Sequence, residues 1–120
     1  MKIEERFEKM KAGGNEVQRP MELFGLMDED STHHHLDWKQ KTFANGALPA
    51  KYKALLALAA AVALDSSTCT VNNTKLAKKL GATKAEIMEA IAVAKFAKSA
   101  TVLSNSAPAL EWLLTQEKEA

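Results

Sequence analysis

Cysteine is almost absent from this chain. Cys69 is the only cysteine among 120 residues, so a disulfide framework within one chain is excluded. The first residues, Met1–Arg6, contain no apolar stretch that could act as a signal peptide. These two absences together predict a protein of the reducing cytoplasm.

The sequence also lacks an excess of charge of either sign. Its 16 Lys and Arg residues against 15 Asp and Glu residues leave a net charge of +1, which excludes an electrostatic argument for nucleic acid or for an anionic membrane. The uncharged run Ala54–Leu64 in the apolar centre has 11 residues, whereas a membrane span needs about 20. Neither nucleic acid nor membrane is therefore an expected partner.

Alternating apolar and polar segments are missing as well, while Ala, Leu, Lys, Glu and Met dominate. This composition predicts an all-α fold, a single-domain bundle of about six helices over residues 1–120. Residues 1–46 are predicted to form an N-terminal layer of three short helices. They are residues 3–12, a short helix opened by Pro20, and His33–Asn45.

Helix boundaries are marked more clearly in the second part of the chain, residues 47–120. A central helix, apolar almost all round, is expected from Pro49 to Leu64. Ser66 or Ser67 can cap the next helix, which should stop at Gly81, and the pattern Thr83–Glu86 is typical of a capping box that opens a helix to about Lys98. Residues 47–98 thus form the expected core.

The last stretch is predicted to be interrupted. Ser and Asn are frequent between Ser99 and Ser106, which favours a break in the helix, and Pro108 can begin a new one. Residues 99–120 are therefore expected to carry a separate C-terminal helix.

The position of Cys69 has two readings. With Ser66 as N-cap, Cys69 is the third residue of its helix, where free backbone N–H groups and the helix dipole favour an anionic thiolate. Asn73 follows one turn later and should share the inward face with the sulfur. The alternative is that Cys69 is a small buried apolar residue, because no base is visible beside it in the sequence.

Two segments on either side of Cys69 resemble a known family: LPAKYKALLALAA at residues 48–60 and LAKKLGATKAEIMEAI at residues 76–91. They are similar to the family of the alkyl hydroperoxidase D protein and carboxymuconolactone decarboxylase, over about residues 46–98. The resemblance implies a helical bundle of the alkyl hydroperoxidase D-like type. It also implies a homo-oligomer, commonly a trimer or a hexamer, with apolar helices buried between subunits.

The same resemblance assigns the family's catalytic motif to four positions here. Aligned without gaps, the family's glutamate falls on Ala54, its first cysteine on Ser66, its second cysteine on Cys69 and its histidine on Asn73. In the family the histidine and glutamate activate the second cysteine, and the first cysteine resolves the intermediate as a disulfide. Ala54, Ser66 and Asn73 cannot do this, so the two-cysteine cycle is excluded within this chain. Decarboxylation would also need a positioned acid or base.

The three histidines are consecutive: His33, His34 and His35. Successive helical residues point about 100° apart, so the three histidines cannot all ligate one metal ion. We predict no metal site within one chain. We also predict no cofactor. One of them is a possible remote base for Cys69, because these are the only side chains that titrate near neutral pH. The alternatives are exposed polar residues, or a metal site shared between subunits.

Two functional hypotheses follow. In the first, the protein is a thiol oxidoreductase of peroxiredoxin type in which Cys69 is the single nucleophile, with a peroxide and a small thiol as substrates. In the second, it is a homologue without this chemistry, which works as an oligomeric binding or scaffold protein.

Overall fold

The computed structural model describes residues 1–119, with side chains to residue 117. Its described part contains six helices and no strand, which confirms the all-α prediction. The helices are α1 (Ile3–Ala12), α2 (Arg19–Met27), α3 (Glu29–Phe43), α4 (Ala50–Ala63), α5 (Ser67–Lys79) and α6 (Lys84–Glu119).

These helices form two compact units, one from Met1 to Ala44 and one from Asn45 onward. The first contains α1 to α3 and the second contains α4 to α6. Each has its own cluster of buried apolar residues. That the whole chain forms one domain stays a prediction.

The first unit is built on the apolar stripe of α1. Ile3 and Phe7 are buried with Leu36 of α3, as expected from the spacing of apolar residues in residues 3–12. The backbone N–H of Ile3 also donates to the Glu29 carboxylate over 2.6 Å. This bond satisfies an N–H group at the start of α1 that no helical carbonyl can reach.

The start of α3 differs from the prediction. The helix begins at Glu29 rather than at His33, because the Asp28 side chain accepts a hydrogen bond from the Ser31 N–H over 3.0 Å. An aspartate at this place satisfies one of the free N–H groups of the first turn. The three histidines consequently lie in the second turn of α3.

The second unit is organised around α4, the predicted central helix, which lies within one residue of its expected bounds. Ala54 and Leu58 are fully buried, in a cluster with Ala77 of α5, Ala82 of the following turn and Ile87 of α6. Alanines at these positions allow helix backbones to approach closely.

The turn from α5 to α6 follows the predicted pattern. Gly81 adopts φ +95°, which favours glycine. The Thr83 N–H donates to the Glu86 carboxylate over 2.9 Å, and the Glu86 N–H donates to the Thr83 hydroxyl over 3.1 Å, which completes the capping box. Lys51 of α4 lies 2.9 Å from the same carboxylate, so the start of α6 is tied to α4.

The predicted break between Ser99 and Ser106 is wrong, because α6 continues through it and contains Pro108. Two hydroxyls of this stretch bond to carbonyls one turn earlier: Thr101 to Ala97 over 3.0 Å and Ser106 to Val102 over 2.7 Å. Side chains bonded in this way are compatible with a helix. Pro108 lacks the N–H that would bond one turn earlier and its ring crowds that turn, so it weakens α6 without ending it. None of the helices described for residues 1–119 is long and apolar enough to cross a membrane.

A side chain at Gly25 should lower the stability of the first unit. A Cβ atom there would lie 3.0 Å from Cζ of Phe7 and 3.2 Å from Cγ1 of Ile3, and both neighbours are buried. We expect Gly25→Ala to lower the free energy of unfolding by about 1 kcal/mol, since overpacking outweighs the gain in helix propensity. Urea denaturation measures this change.

Gly13→Ala is the matched control for this substitution. Its added Cβ would have no neighbour closer than 3.5 Å, so we expect a change within about 0.5 kcal/mol. An equal effect of the two substitutions would contradict the close packing of α2 on α1.

The Glu86 carboxylate should make stability depend on pH. The Thr83 N–H and the Lys51 ammonium hold the pKa of Glu86 below its ordinary value. A group whose pKa is lowered by folding stabilises the protein above its unfolded-state pKa of about 4.3, and this contribution is lost as the pH falls through the folded-state value. We therefore expect Glu86→Gln to lose less stability than the wild type on acidification from about pH 5 to about pH 3.

Denaturant titrations at several pH values measure the difference. Glu89→Gln, at an exposed position of the same helix, is the control and should follow the wild type. Parallel curves for wild type and Glu86→Gln would show that the Glu86 contacts do not contribute.

Candidate functional site

The candidate site lies at the start of α5, where the chain turns from α4. Asp65 adopts a left-handed conformation with φ 60°, and the Ser66 N–H then donates to the Ala61 carbonyl over 3.0 Å. The Ser66 hydroxyl accepts a hydrogen bond from the Cys69 N–H over 3.3 Å. Ser66 is therefore the N-cap, and Cys69 is the third helical residue, as predicted.

An ion pair holds this turn against α6. The Lys98 ammonium lies 2.6 Å from the Asp65 carboxylate, so a residue far along the chain fixes the turn before Ser66. Both side chains are largely accessible to solvent. An aspartate before a pair of serines is a visible turn signal in the sequence, but no local pattern identifies Lys98 as its partner.

The thiol of Cys69 is exposed. The interpretation of Cys69 as a buried apolar residue is therefore wrong. α5 packs on α4 through its half-buried and buried residues, which are Thr70, Asn72, Asn73, Thr74, Leu76 and Ala77. Cys69 has nearly the same direction around the helix as Asn73 and Leu76. It is exposed because it lies in the first turn of α5, where Ser67 and Thr68 are exposed as well.

The other three motif positions have different surroundings. Ala54 is 0% exposed and lies in the apolar core beside Leu58 and Ala77. A carboxylate at this place would need a buried partner, whereas the alanine methyl needs none. Asn73 is half-buried and follows Cys69 by one turn on α5. Ser66 is occupied as the N-cap. No acid or base is present at any of these positions.

The histidines belong to the first unit. Arg6 Nη1 lies 3.0 Å from His33 Nδ1, and since a guanidinium can only donate, Nδ1 accepts. The buried Nε2 atom of His33 lies 3.8 Å from the Glu29 carboxylate. Nδ1, the nitrogen that could act as a base, is thus already bonded, while His34 and His35 are exposed. A remote base for Cys69 among them stays a prediction.

No group of three or more His, Cys, Asp or Glu side chains within the described residues is placed to hold a metal ion. The start of α5 therefore carries an accessible thiol, with Ser66 bonded to the Cys69 N–H and Asn73 one turn later. Such a site can support nucleophilic attack by sulfur, but it offers no side chain for proton transfer to a carbon atom.

The N-cap hydrogen bond should contribute measurably to stability. Replacing an N-cap serine by alanine removes the acceptor for a free N–H group, so we expect Ser66→Ala to lower the free energy of unfolding by about 1 kcal/mol. Thermal and urea unfolding measure the change. Ser67→Ala, at the next and exposed position, is the control and should stay within about 0.5 kcal/mol of wild type. Equal losses for the two variants would argue against Ser66 as the cap.

Comparison with known proteins identifies the family of this chain. The model of the Carboxymuconolactone decarboxylase family matches residues 31–112, which include α4, α5 and most of α3 and α6. No curated protein and no solved structure is significantly similar to the chain. The resemblance expected for about residues 46–98 is confirmed and extends further in both directions. The chain belongs to the carboxymuconolactone decarboxylase family.

Proposed function

We propose that this member of the family is a one-cysteine thiol oxidoreductase of peroxiredoxin type, with Cys69 as its nucleophile. The observation that supports this function best is the exposure of the thiol at the start of α5. A peroxide and a reducing thiol can both reach it from solvent. The dipole of α5 favours negative charge at this position, and the thiolate is the reactive form.

The proposed cycle uses two molecules of an external thiol. The Cys69 thiolate attacks one oxygen of a hydroperoxide, the O–O bond breaks, and the alkoxide leaves and takes a proton from solvent. The resulting sulfenic acid reacts with the first thiol to form a mixed disulfide and water. The second thiol then attacks the mixed disulfide, releases Cys69 and leaves as the external disulfide. The two thiols thereby supply the two electrons that reduce the peroxide.

This cycle fits the residues that replace the family motif. Ser66 cannot resolve a sulfenic acid as a disulfide, so the resolving sulfur must come from outside the chain. A constant supply of small thiols is a property of the reducing cytoplasm, which is the compartment we propose. We further propose that the protein acts as a homo-oligomer, a trimer or a hexamer, because many large apolar side chains of α4 and α6 are exposed in the single chain.

A second candidate is an oligomeric binding or scaffold protein without redox chemistry. The observation in its favour is Ala54, which fills the core at the position of the family's glutamate. A relay that activates the thiol would need that carboxylate together with a base at Asn73. In this candidate the polar residues near Cys69 would hold a ligand and not a reacting peroxide.

The pH dependence of Cys69 alkylation separates the two candidates. For the oxidoreductase we expect the rate of reaction with iodoacetamide to be already high at neutral pH, because the thiolate is the reactive form. We also expect consumption of an organic hydroperoxide in the presence of a small thiol. Cys69→Ser, which keeps the helical position and removes the only sulfur that can react in this way, should abolish both signals.

An alkylation rate that rises only above about pH 8, with no peroxide consumption beyond the Cys69→Ser background, would leave the scaffold candidate. A free tripeptide thiol measured beside the protein supplies the reference rate for an unperturbed sulfur.

A further inference from the structure

The second half of α6 is exposed on all sides in the single chain. From Thr101 to Glu117 every residue is exposed except Ser106, which is half-buried. Between Ser99 and Gln116 the only charged side chain is Glu111. A helix with large apolar side chains and so little charge is marginal in water without a partner.

One stripe of this helix has the spacing of a coiled-coil seam. Its residues follow each other at intervals of four, three, four, three and four positions, with large and small side chains mixed. They are Phe96, Ala100, Leu103, Ala107, Leu110 and Leu114. The four large members are between 54% and 74% exposed.

The seam points away from the unit's own core. With 3.6 residues per turn, its residues lie on the side of α6 opposite to the buried Ile87 and Ala94 and the half-buried Ile91. Within the seam Ala100 is half-buried and the other five residues are exposed. Asn105 and Trp112 lie on the core-facing side and are not part of the seam. A partner can therefore cover the seam without disturbing the packing of α6 on α4.

The order of large and small residues favours an antiparallel partner with the same sequence. Two antiparallel copies can be aligned so that their Asn105 residues lie at the same height along the helix axes. Leu103 of one copy is then level with Ala107 of the other, Ala100 with Leu110, and Phe96 with Leu114. Each alanine then faces a leucine. In a parallel pair each residue would face its own copy, so alanine would face alanine at two positions along the seam. The leucine pairs on either side would hold the helices apart, and cavities would remain at the alanines.

We infer that the seam of α6 pairs antiparallel with the seam of a second copy of this chain. This inference rests on the proposed homo-oligomer and names one of its contacts. The four large side chains expose on the order of 100 Å² each, about half of the roughly 800 Å² per partner in a stable interface. The alanines and the backbone along about 30 Å of helix add to this area. Opposed helix dipoles also favour the antiparallel arrangement.

Disulfide trapping between two single variants tests this register. The two variants are Leu103→Cys and Ala107→Cys, each in a Cys69→Ser background and each with a different affinity tag. They are mixed, allowed to exchange subunits and then mildly oxidised. We expect the mixed disulfide to exceed each homodisulfide at least fivefold, well above the twofold statistical excess. Either homodisulfide would have to bridge an offset of about 6 Å along the helix. Dominant homodisulfides, or no disulfide at all, would overturn the antiparallel pairing.

Sedimentation of the full chain separates this contact from the assembly as a whole. Leu110→Glu should lower the mass of the assembly at least twofold, whereas Asn105→Lys, on the other side of the helix, should leave it unchanged. Circular dichroism verifies that both variants fold. An unchanged mass for Leu110→Glu would overturn the seam but leave the homo-oligomer in place. A monomeric wild type at tens of micromolar would overturn both, without bearing on the chemistry of Cys69.

Discussion

Close packing on the alanine-rich helix α4 is the constraint on which the second unit depends. Ala54 and Leu58 are fully buried, and Ala77 and Ala82 meet them with side chains of a single methyl group. Helices that approach so closely are fixed in position, because even one added methylene is felt in a core at native density. The direction of α5 follows from this packing, and with it the side of α5 that reaches solvent.

The same packing explains why the site differs from its family pattern. Ala54 occupies the position to which the alignment assigns the family's glutamate, and its methyl group lies in a cluster of buried apolar residues. The stripe of α5 that faces α4 carries Asn73, and Cys69 lies one turn before it, in the exposed first turn. Cys69, the one position at which the alignment keeps the family's residue, is exposed at a helix start capped by Ser66.

Much of the fold could be predicted from local patterns. Features that depend on residues within one or two turns of each other were predicted close to their observed places. They are the Asn45-to-Leu64 region, the cap at Ser66, the turn at Gly81 and the Thr83–Glu86 capping box. The error in α6 has a physical cause. Ser, Asn and Pro weaken a helix locally, but hydroxyl groups that bond back to the preceding turn are compatible with its continuation.

The sequence by itself determined the helical class, the family, and the absence of a second cysteine and of the catalytic histidine and glutamate at their motif positions. Only the tertiary structure decided that Cys69 is exposed, that Ala54 is buried, and that Lys98 pairs with Asp65. The reason is that spacing along one helix defines a stripe, but not which neighbouring helix covers it. Cys69 has the helical direction of the half-buried Asn73 and Leu76, yet the first turn of α5 is left uncovered.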